Sequence, residues 1–336
     1  MSRKLASVRT INEISPIEGA DKIEVATIDN WKVVVAKDLH KVNDVIIYFE
    51  IDSFLPIREE FEFLRKSSYK KMGEKEGFRL RTIKLRGQIS QGLVVPISIM
   101  GGEKFKLGED VSEFLGVEKY DPPISTQLSG IAKGNFPSFI KKTDEERIQN
   151  FSTTQYEELK KLNFFCTEKL DGTSFTNYHI DKEVGVCSRN LDLEKNDEQT
   201  HWKIVIENDL ENKLISMGRN LAIQGEIIGE GIQKNRYNIK GHKLFVFNIF
   251  DIDDYKYLNK KNMTDVCNQL YLEMVPVIGE SIKLPNSVGD VLKFAEGKSV
   301  LNPTTEREGL VWVSDDLDNR ISFKTISNKF LIKSAD

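Results

Sequence analysis

Asp121-Pro122-Pro123 interrupts the chain at a point where neither a helix nor a central strand can continue. It separates two stretches of different character, and 336 residues is length enough for two domains. Before the break, short runs rich in Val, Ile and aromatic residues predict strands over 22–29, 31–36, 44–51 and 91–99, the last interrupted by Pro96. Gly and Asn/Asp residues punctuate these runs, a pattern that predicts a small β-barrel or sandwich without choosing among them. After the break, strands are predicted over 163–169, 174–180, 184–188, 221–228, 243–252, 309–314 and 321–326. A helix is predicted over 200–221, where Trp202, Ile206, Leu210, Leu214, Met217 and Leu221 recur at helical spacing. Together these features predict an α+β protein. A β-rich domain over 1–120 precedes a domain of mostly antiparallel sheets with flanking helices over 121–336.

Composition narrows the function classes. With 39% hydrophobic and 30% charged residues the chain is globular, and no apolar run approaches the roughly 20 residues of a membrane helix. The N-terminal MSRKLASVRT lacks a secretory apolar stretch. Cys166, Cys187 and Cys267 lie far apart, as do the four histidines, which argues against a disulfide framework, structural zinc and a Cys/His nucleophile. A reducing, cytoplasmic setting without a membrane partner is expected. The net charge of −4 hides an uneven distribution: nine basic residues and two acidic ones fall between Arg65 and Arg86. That local charge of +7 predicts either a footprint for a phosphate backbone or a lysine-protected edge strand.

Chemistry concentrates in an ordered series after the break. Lys169-Leu170-Asp171-Gly172 closes one predicted strand; alone, it reads more readily as a surface lysine before an Asp-Gly hairpin turn. Ser188-Arg189-Asn190 ends another strand, and Gln224-Gly225-Glu226 lies inside an apolar one, Glu226 coming 57 residues after Lys169. In Lys243–Ile249 the alternation puts Phe245 and Phe247 on one face, the ordinary signature of a packed strand. Glu308-Gly309-Leu310-Val311 and Ser322-Phe323-Lys324 complete the series.

In this order and spacing the motifs resemble those of the covalent nucleotidyltransferase superfamily of ATP-dependent RNA and DNA ligases and capping enzymes. Within it, the chain is most similar to RNA ligases with an N-terminal oligonucleotide-binding (OB) domain, RNA ligase family five. The segment Lys142–Gln149 shares the likeness. The 12 residues after Lys324 are too few for a barrel, so an OB domain is expected first, where the β-rich segment stands.

The resemblance implies an ATP-dependent RNA ligase that joins 3′-hydroxyl and 5′-phosphate ends of RNA, a nicked duplex being the expected substrate. Lys169 would attack the α-phosphate to give lysyl-AMP, and Lys324 would contact that phosphate. Phe247 would stack on adenine, the main chain around Glu168 would read its edge, Arg147 and Glu226 would touch the nucleotide, and Arg189 would touch the nucleotide or the RNA 5′-phosphate. Asp171, Glu226 and Glu308 would serve Mg2+ or Mn2+, and Arg79, Arg81, Lys84 and Arg86 would hold RNA. A free lysine is almost fully protonated near neutrality, and positive charge from metal and Lys324 is expected to lower its pKa. The sequence departs from the superfamily in two places. Ile326 replaces a second lysine, with Lys329 the candidate to take over its contact, and Asn248 replaces an aspartate. The competing readings are a DNA ligase or capping-type enzyme, disfavoured by domain order, and a non-catalytic OB-containing nucleic-acid-binding protein. The intact Lys169, Glu226, Glu308 and Lys324 set argues against the last.

Overall fold

A computed structural model describes residues 3–121, 131–181, 183–316 and 319–334; the Pro122-Pro123 break lies outside them. The chain forms two compact units. One takes its described residues from Met1–Pro123, Ile148–Tyr156 and Leu331–Asp336, the other from Ile124–Arg147 and Glu157–Phe330.

The first unit is built from short antiparallel strands. Val45–Phe49 lies between Ala6–Thr10 and Leu93–Pro96. Its apolar run is buried on both faces, Ile46 and Tyr48 entering one core while Ile47 and Phe49 enter another. Complete burial of a large apolar side chain contributes roughly 1.5–3 kcal/mol, so this strand anchors the unit. Glu13–Pro16, Ile23–Ile28 and Trp31–Ala36 form a second sheet. Residues 148–156 fold with this unit although they follow the break. Asn30 Nδ2 donates to the carbonyls of Gln149 and Phe151 at 3.3 and 3.0 Å, and Trp31 Nε1 donates to Asn150 Oδ1 at 3.2 Å.

In the second unit, one sheet runs in the order Ala132–Asn135, Leu191–Leu193, Glu183–Cys187, Thr173–Ile180, Leu221–Gly229, His242–Asp251 and Lys256–Tyr257. A five-stranded sheet runs Glu146–Arg147, Ser322–Ile326, Gly309–Ser314, Phe164–Lys169 and Val277–Ile282. All pairings are antiparallel except Glu146–Arg147 with Ser322–Ile326 and Glu273–Met274 with His242–Asp251. Strand alternation assigns the faces of the larger sheet. Leu221, Ile223 and Ile227 pack with Trp202, Leu214 and Val266 of the covering helices, which leaves Gln224 and Glu226 on the opposite face.

The helix expected over 200–221 is broken: Thr200–Glu207 and Leu210–Ser216 flank Asp209, whose φ of 52° is left-handed, and Leu221 already opens a strand. All three cysteines are free and buried; burial raises the Cys166 and Cys267 thiols to about 12 and raises Cys187 as well. They are inert core residues. Among the described residues no helix is long and apolar enough to cross a membrane.

Candidate active site

Lys169 ends the strand Phe164–Lys169 in the five-stranded sheet, and Thr173 opens the next strand in the larger one. The Leu170-Asp171-Gly172 turn thus carries the chain between sheets. Gly172 is not among the left-handed glycines, so the hairpin-turn reading does not hold. Space dictates the glycine instead, since a Cβ there would lie 2.3 Å from the Ile227 carbonyl oxygen. That close approach lets the Gly172 N–H donate to Glu226 Oε1 at 3.1 Å. A similar contact fixes Gly309, whose Cβ would meet the Thr325 carbonyl oxygen at 2.1 Å. The two strands flanked by Glu308 and bearing Lys324 therefore abut closely.

The Lys169 ammonium lies 2.7 Å from both carboxylate oxygens of Glu308. Burial favours its neutral form, but Glu308 and Glu226 outweigh burial and hold its pKa above the ordinary lysine range. Where positive charge nearby was expected to lower it, the surrounding carboxylates raise it. Burial raises Glu226 to about 7, Lys169 offsetting part of the effect and Glu308 adding to it. Asp171 rises to about 6, through burial and then Glu308, although Arg236 Nε lies 2.8 Å from its Oδ2.

Lys324 lies in parallel register with Arg147. Its ammonium is 3.5 Å from Asp144 Oδ1, which Arg189 Nη2 reaches at 3.4 Å. Burial, followed by repulsion from Arg147, lowers the Lys324 pKa to about 8. It still carries its charge at pH 7 and loses it as pH rises through about 8. Lys324, Arg147, Arg189 and Lys169 thus form one cationic cluster, with Asp144 as the acidic partner of two of them.

Phe247 sits at a β-bulge: Gln224 pairs with Asn248 and Gly225 with Val246, which leaves Phe247 without a partner across the strand. A bulge re-aims a side chain. Phe247 packs beside Phe245, Leu170 and Tyr237, so the expected shared face of Phe245 and Phe247 survives the irregularity. Asn248 Oδ1 accepts from Arg320 Nη2 at 3.2 Å. Glu168 is buried; its N–H donates to the Pro276 carbonyl, and its Oε2 accepts from the Val300 N–H at 2.8 Å. Ile326 is buried in its strand, and Lys329 is exposed and paired with Glu296 at 3.0 Å.

Asp171, Glu226 and Glu308 have the chemistry of hard-cation ligands, and their mutual repulsion favours a cation among them. Among the described residues no three His, Cys, Asp or Glu side chains form a protein-only metal cage. A divalent ion here fits one or two carboxylates plus phosphate and water oxygens, the mode typical of Mg2+.

Sequence reasoning missed Arg236 and Tyr237, which contact the turn directly. Their loop offers only Gly and Asn punctuation between two strands.

The basic segment in the first unit divides into two groups. Arg65, Lys71, Lys75 and Arg79 pair with Glu62, Glu76, Glu118 and Asp52. The Arg79 guanidinium also lies 4.5 Å from the Tyr120 ring centroid, so among the four expected RNA-binding residues it is built into the unit. Arg81, Lys84 and Arg86 are exposed and form no ion pair among the described residues. Leu80 and Arg81 fall between strands, and Arg86, at φ 50°, turns the hairpin Thr82–Leu85/Gln88–Gln91. Arg79 and Arg81 therefore do not share one strand, nor do Lys84 and Arg86.

Comparison with known proteins bears on both units. Residues 5–97 match an OB-fold domain family and residues 162–326 match the RNA ligase family. No curated protein sequence matches. Among solved structures, a Naegleria gruberi RNA ligase lysine-to-methionine mutant with AMP and Mn is 41% identical, with a TM-score of 0.88 and coverage of 98% of each chain. A glutamate-to-alanine mutant of that ligase with ATP and Mn is also 41% identical, with a TM-score of 0.88 over 99% of this chain and 100% of that one. The same ligase with PPi gives 41% and 0.87, covering 98% of each chain. With a β-rich OB domain leading into two sheets that converge on Lys169, Glu308 and Lys324, this chain belongs to the RNA ligase family, in the form whose OB domain precedes the ligase domain.

Proposed function

We propose that the protein seals RNA 3′-hydroxyl and 5′-phosphate ends through a lysyl-AMP and then an adenylylated RNA. The observation that carries this reading is the placement of Lys169 between two sheets, gripped by Glu308 and faced by the cluster around the buried Lys324. In the first step Lys169 Nζ sheds a proton and bonds to the α-phosphorus of ATP as the bond to pyrophosphate breaks. Glu308, whose oxygens touch Nζ, is the nearest proton acceptor. Lys324, Arg147 and Arg189 face the phosphate charge that develops. Phe247 offers a stacking face for adenine, while the buried Glu168 side chain fixes Val300. AMP then passes to the RNA 5′-phosphate, and the 3′-hydroxyl displaces it.

Glu226 and Glu308, with Asp171 beside them, would hold Mg2+ or Mn2+. Such an ion neutralises phosphate charge in the transition state. The complexes of the Naegleria relative with AMP, ATP and Mn support ATP as donor. The three unpaired cysteines accord with a reducing, cytoplasmic setting. The deciding experiment incubates the protein with [α-³²P]ATP or [α-³²P]GTP and divalent metal, then denatures it. Covalent label from ATP alone is expected; a protein that takes label from neither sinks the reading.

The RNA-binding part of the proposal rests on the first unit, with a nicked duplex as the expected substrate. Replacing Arg81, Lys84 and Arg86 by alanine should weaken RNA binding and flatten the dependence of log K on log salt by about 2 to 3, since each phosphate contact contributes roughly 0.7–0.9. Arg79→Ala should instead lower the melting temperature, because it strips a partner from Asp52 and Tyr120. A salt titration in which the triple variant keeps the wild-type slope would move the RNA path elsewhere.

A further inference from the structure

The connection between the strands Leu221–Gly229 and His242–Asp251 has an unusual backbone. Gln233, Lys234 and Asn235 are consecutively left-handed, at φ 45°, 58° and 45°, and Asn238 follows at 54°. Side chains other than glycine avoid this region, and a run of three persists only where surrounding contacts over-determine it. Those contacts are visible. Asn235 Nδ2 donates to the Ile239 carbonyl at 2.9 Å, while Asn235 Oδ1 accepts the Ile239 N–H at 3.1 Å. Asn302 Nδ2 holds the Arg236 carbonyl at 2.8 Å.

The strained segment faces the Lys169 turn and contacts it at four points. The Tyr237 ring is buried against Leu170. The Tyr237 hydroxyl accepts the Asp171 N–H at 2.7 Å. Arg236 Nε reaches Asp171 Oδ2 at 2.8 Å, its guanidinium lying 4.3 Å from the Phe330 ring centroid. Gln233 Nε2 donates to the Gly172 carbonyl at 3.4 Å. With Glu226 accepting the Gly172 N–H, both amides of the Asp171-Gly172 pair are engaged. None of these loop groups reaches the Lys169 ammonium itself, so any effect on it passes through the turn.

We propose that the loop from Ile232 to Ile239 is a positioning clamp for the nucleophile, in which Arg236 and Tyr237 are positioning residues that fix the approach of Lys169 through Asp171. The inference rests on the reading of Lys169 as the residue that accepts AMP. The physical reason for such a device is that Lys169 has four rotatable side-chain bonds and is the last residue its strand pairs, so the chain beyond it depends on other contacts. Attack on phosphorus needs an aligned approach, and displacement by about 1 Å can cost roughly a hundredfold in rate. Strain held in the loop is then part of a preorganised support for the reacting side chain.

Tyr237→Phe tests this with the removal of one oxygen atom, leaving the ring packing in place. The measurement is the single-turnover rate of lysyl-AMP formation across ATP concentrations at saturating Mn2+, with thermal melting as the control for folding. Roughly a 10- to 100-fold fall in the limiting rate is expected, with little change in half-saturating ATP, because the loss concerns alignment and not nucleotide binding. Sealing of RNA already carrying 5′-AMP bypasses Lys169 and should stay near the wild-type rate. If Tyr237→Phe does not fold, Arg236→Ala and Arg236→Lys are read in the same way, the lysine variant recovering part of the rate that alanine loses. A wild-type limiting rate in the folded variants overturns the clamp. So does an equal fall in both reactions, which would mark general damage. Absence of covalent label on the wild-type protein would instead overturn the reading of Lys169, and the clamp with it.

Discussion

Lys169→Ala protein is expected to take up no label from [α-³²P]ATP and to lose sealing of 5′-phosphate RNA by on the order of 10⁴-fold or more, as nucleophile removal does elsewhere. The nearest amine in the cationic cluster, Lys324, is largely buried and directed at Asp144. It sits on another strand and cannot reach the Lys169 position without rebuilding the sheet. The same variant should still seal RNA that carries 5′-AMP, since that substrate enters after the lysine's step. Its loss also leaves Glu308 and Glu226 without their shared cation, so a lowered melting temperature should accompany the chemical defect. Label retained at the wild-type level would place the nucleophile elsewhere.

The second large effect concerns Glu226, where stability and activity should move in opposite directions. Its pKa is raised in the folded protein from the ordinary value of 4.5 to about 7. A raised carboxyl favours the folded state while protonated, so its contribution is complete below about pH 4.5 and is lost as pH rises through about 7. The ionised side chain then destabilises the protein by roughly 3 kcal/mol. Glutamine keeps an oxygen for the Gly172 N–H and carries no charge at any pH. Glu226→Gln should therefore melt several degrees above wild type at pH 8 in metal-free buffer, the advantage shrinking toward pH 4.5. Labelling by ATP should fall sharply and demand more metal. A melting difference independent of pH would show that Glu226 is not the titrating group.

How much of this was legible in sequence depends on what each residue answers to. That Lys169, Glu226, Glu308 and Lys324 would be brought near one another was legible because the implied chemistry calls for their types and the strands set their order. The alternation that marked Phe245 and Phe247 survived a bulge because both rings still pack beside Leu170. Other features depend on partners distant in sequence. Arg79 looked interchangeable with Arg81 until Asp52 and Tyr120 were placed against it. Arg236 and Tyr237 belong to no motif, and only their contacts with Leu170 and Asp171 give them meaning. The helix over 200–221 failed because apolar spacing continues through Asp209, where the backbone does not. Likewise, nothing in the composition of 148–156 indicates that Asn30 and Trp31 hold it.

The grip of Glu308 on Lys169 also bears on the interval between reactions. A primary amine in a cell meets cyanate, reducing sugars and activated acyl groups, all of which attack only its free base. By holding the amine protonated and wedged between carboxylates, Glu308 starves those side reactions of their substrate. Carbamyl and acyl adducts would last, whereas the proposed one with AMP is transient. On the proposal that Lys169 accepts AMP, the pairing that loosens for a turnover is also what keeps the amine intact for the next one.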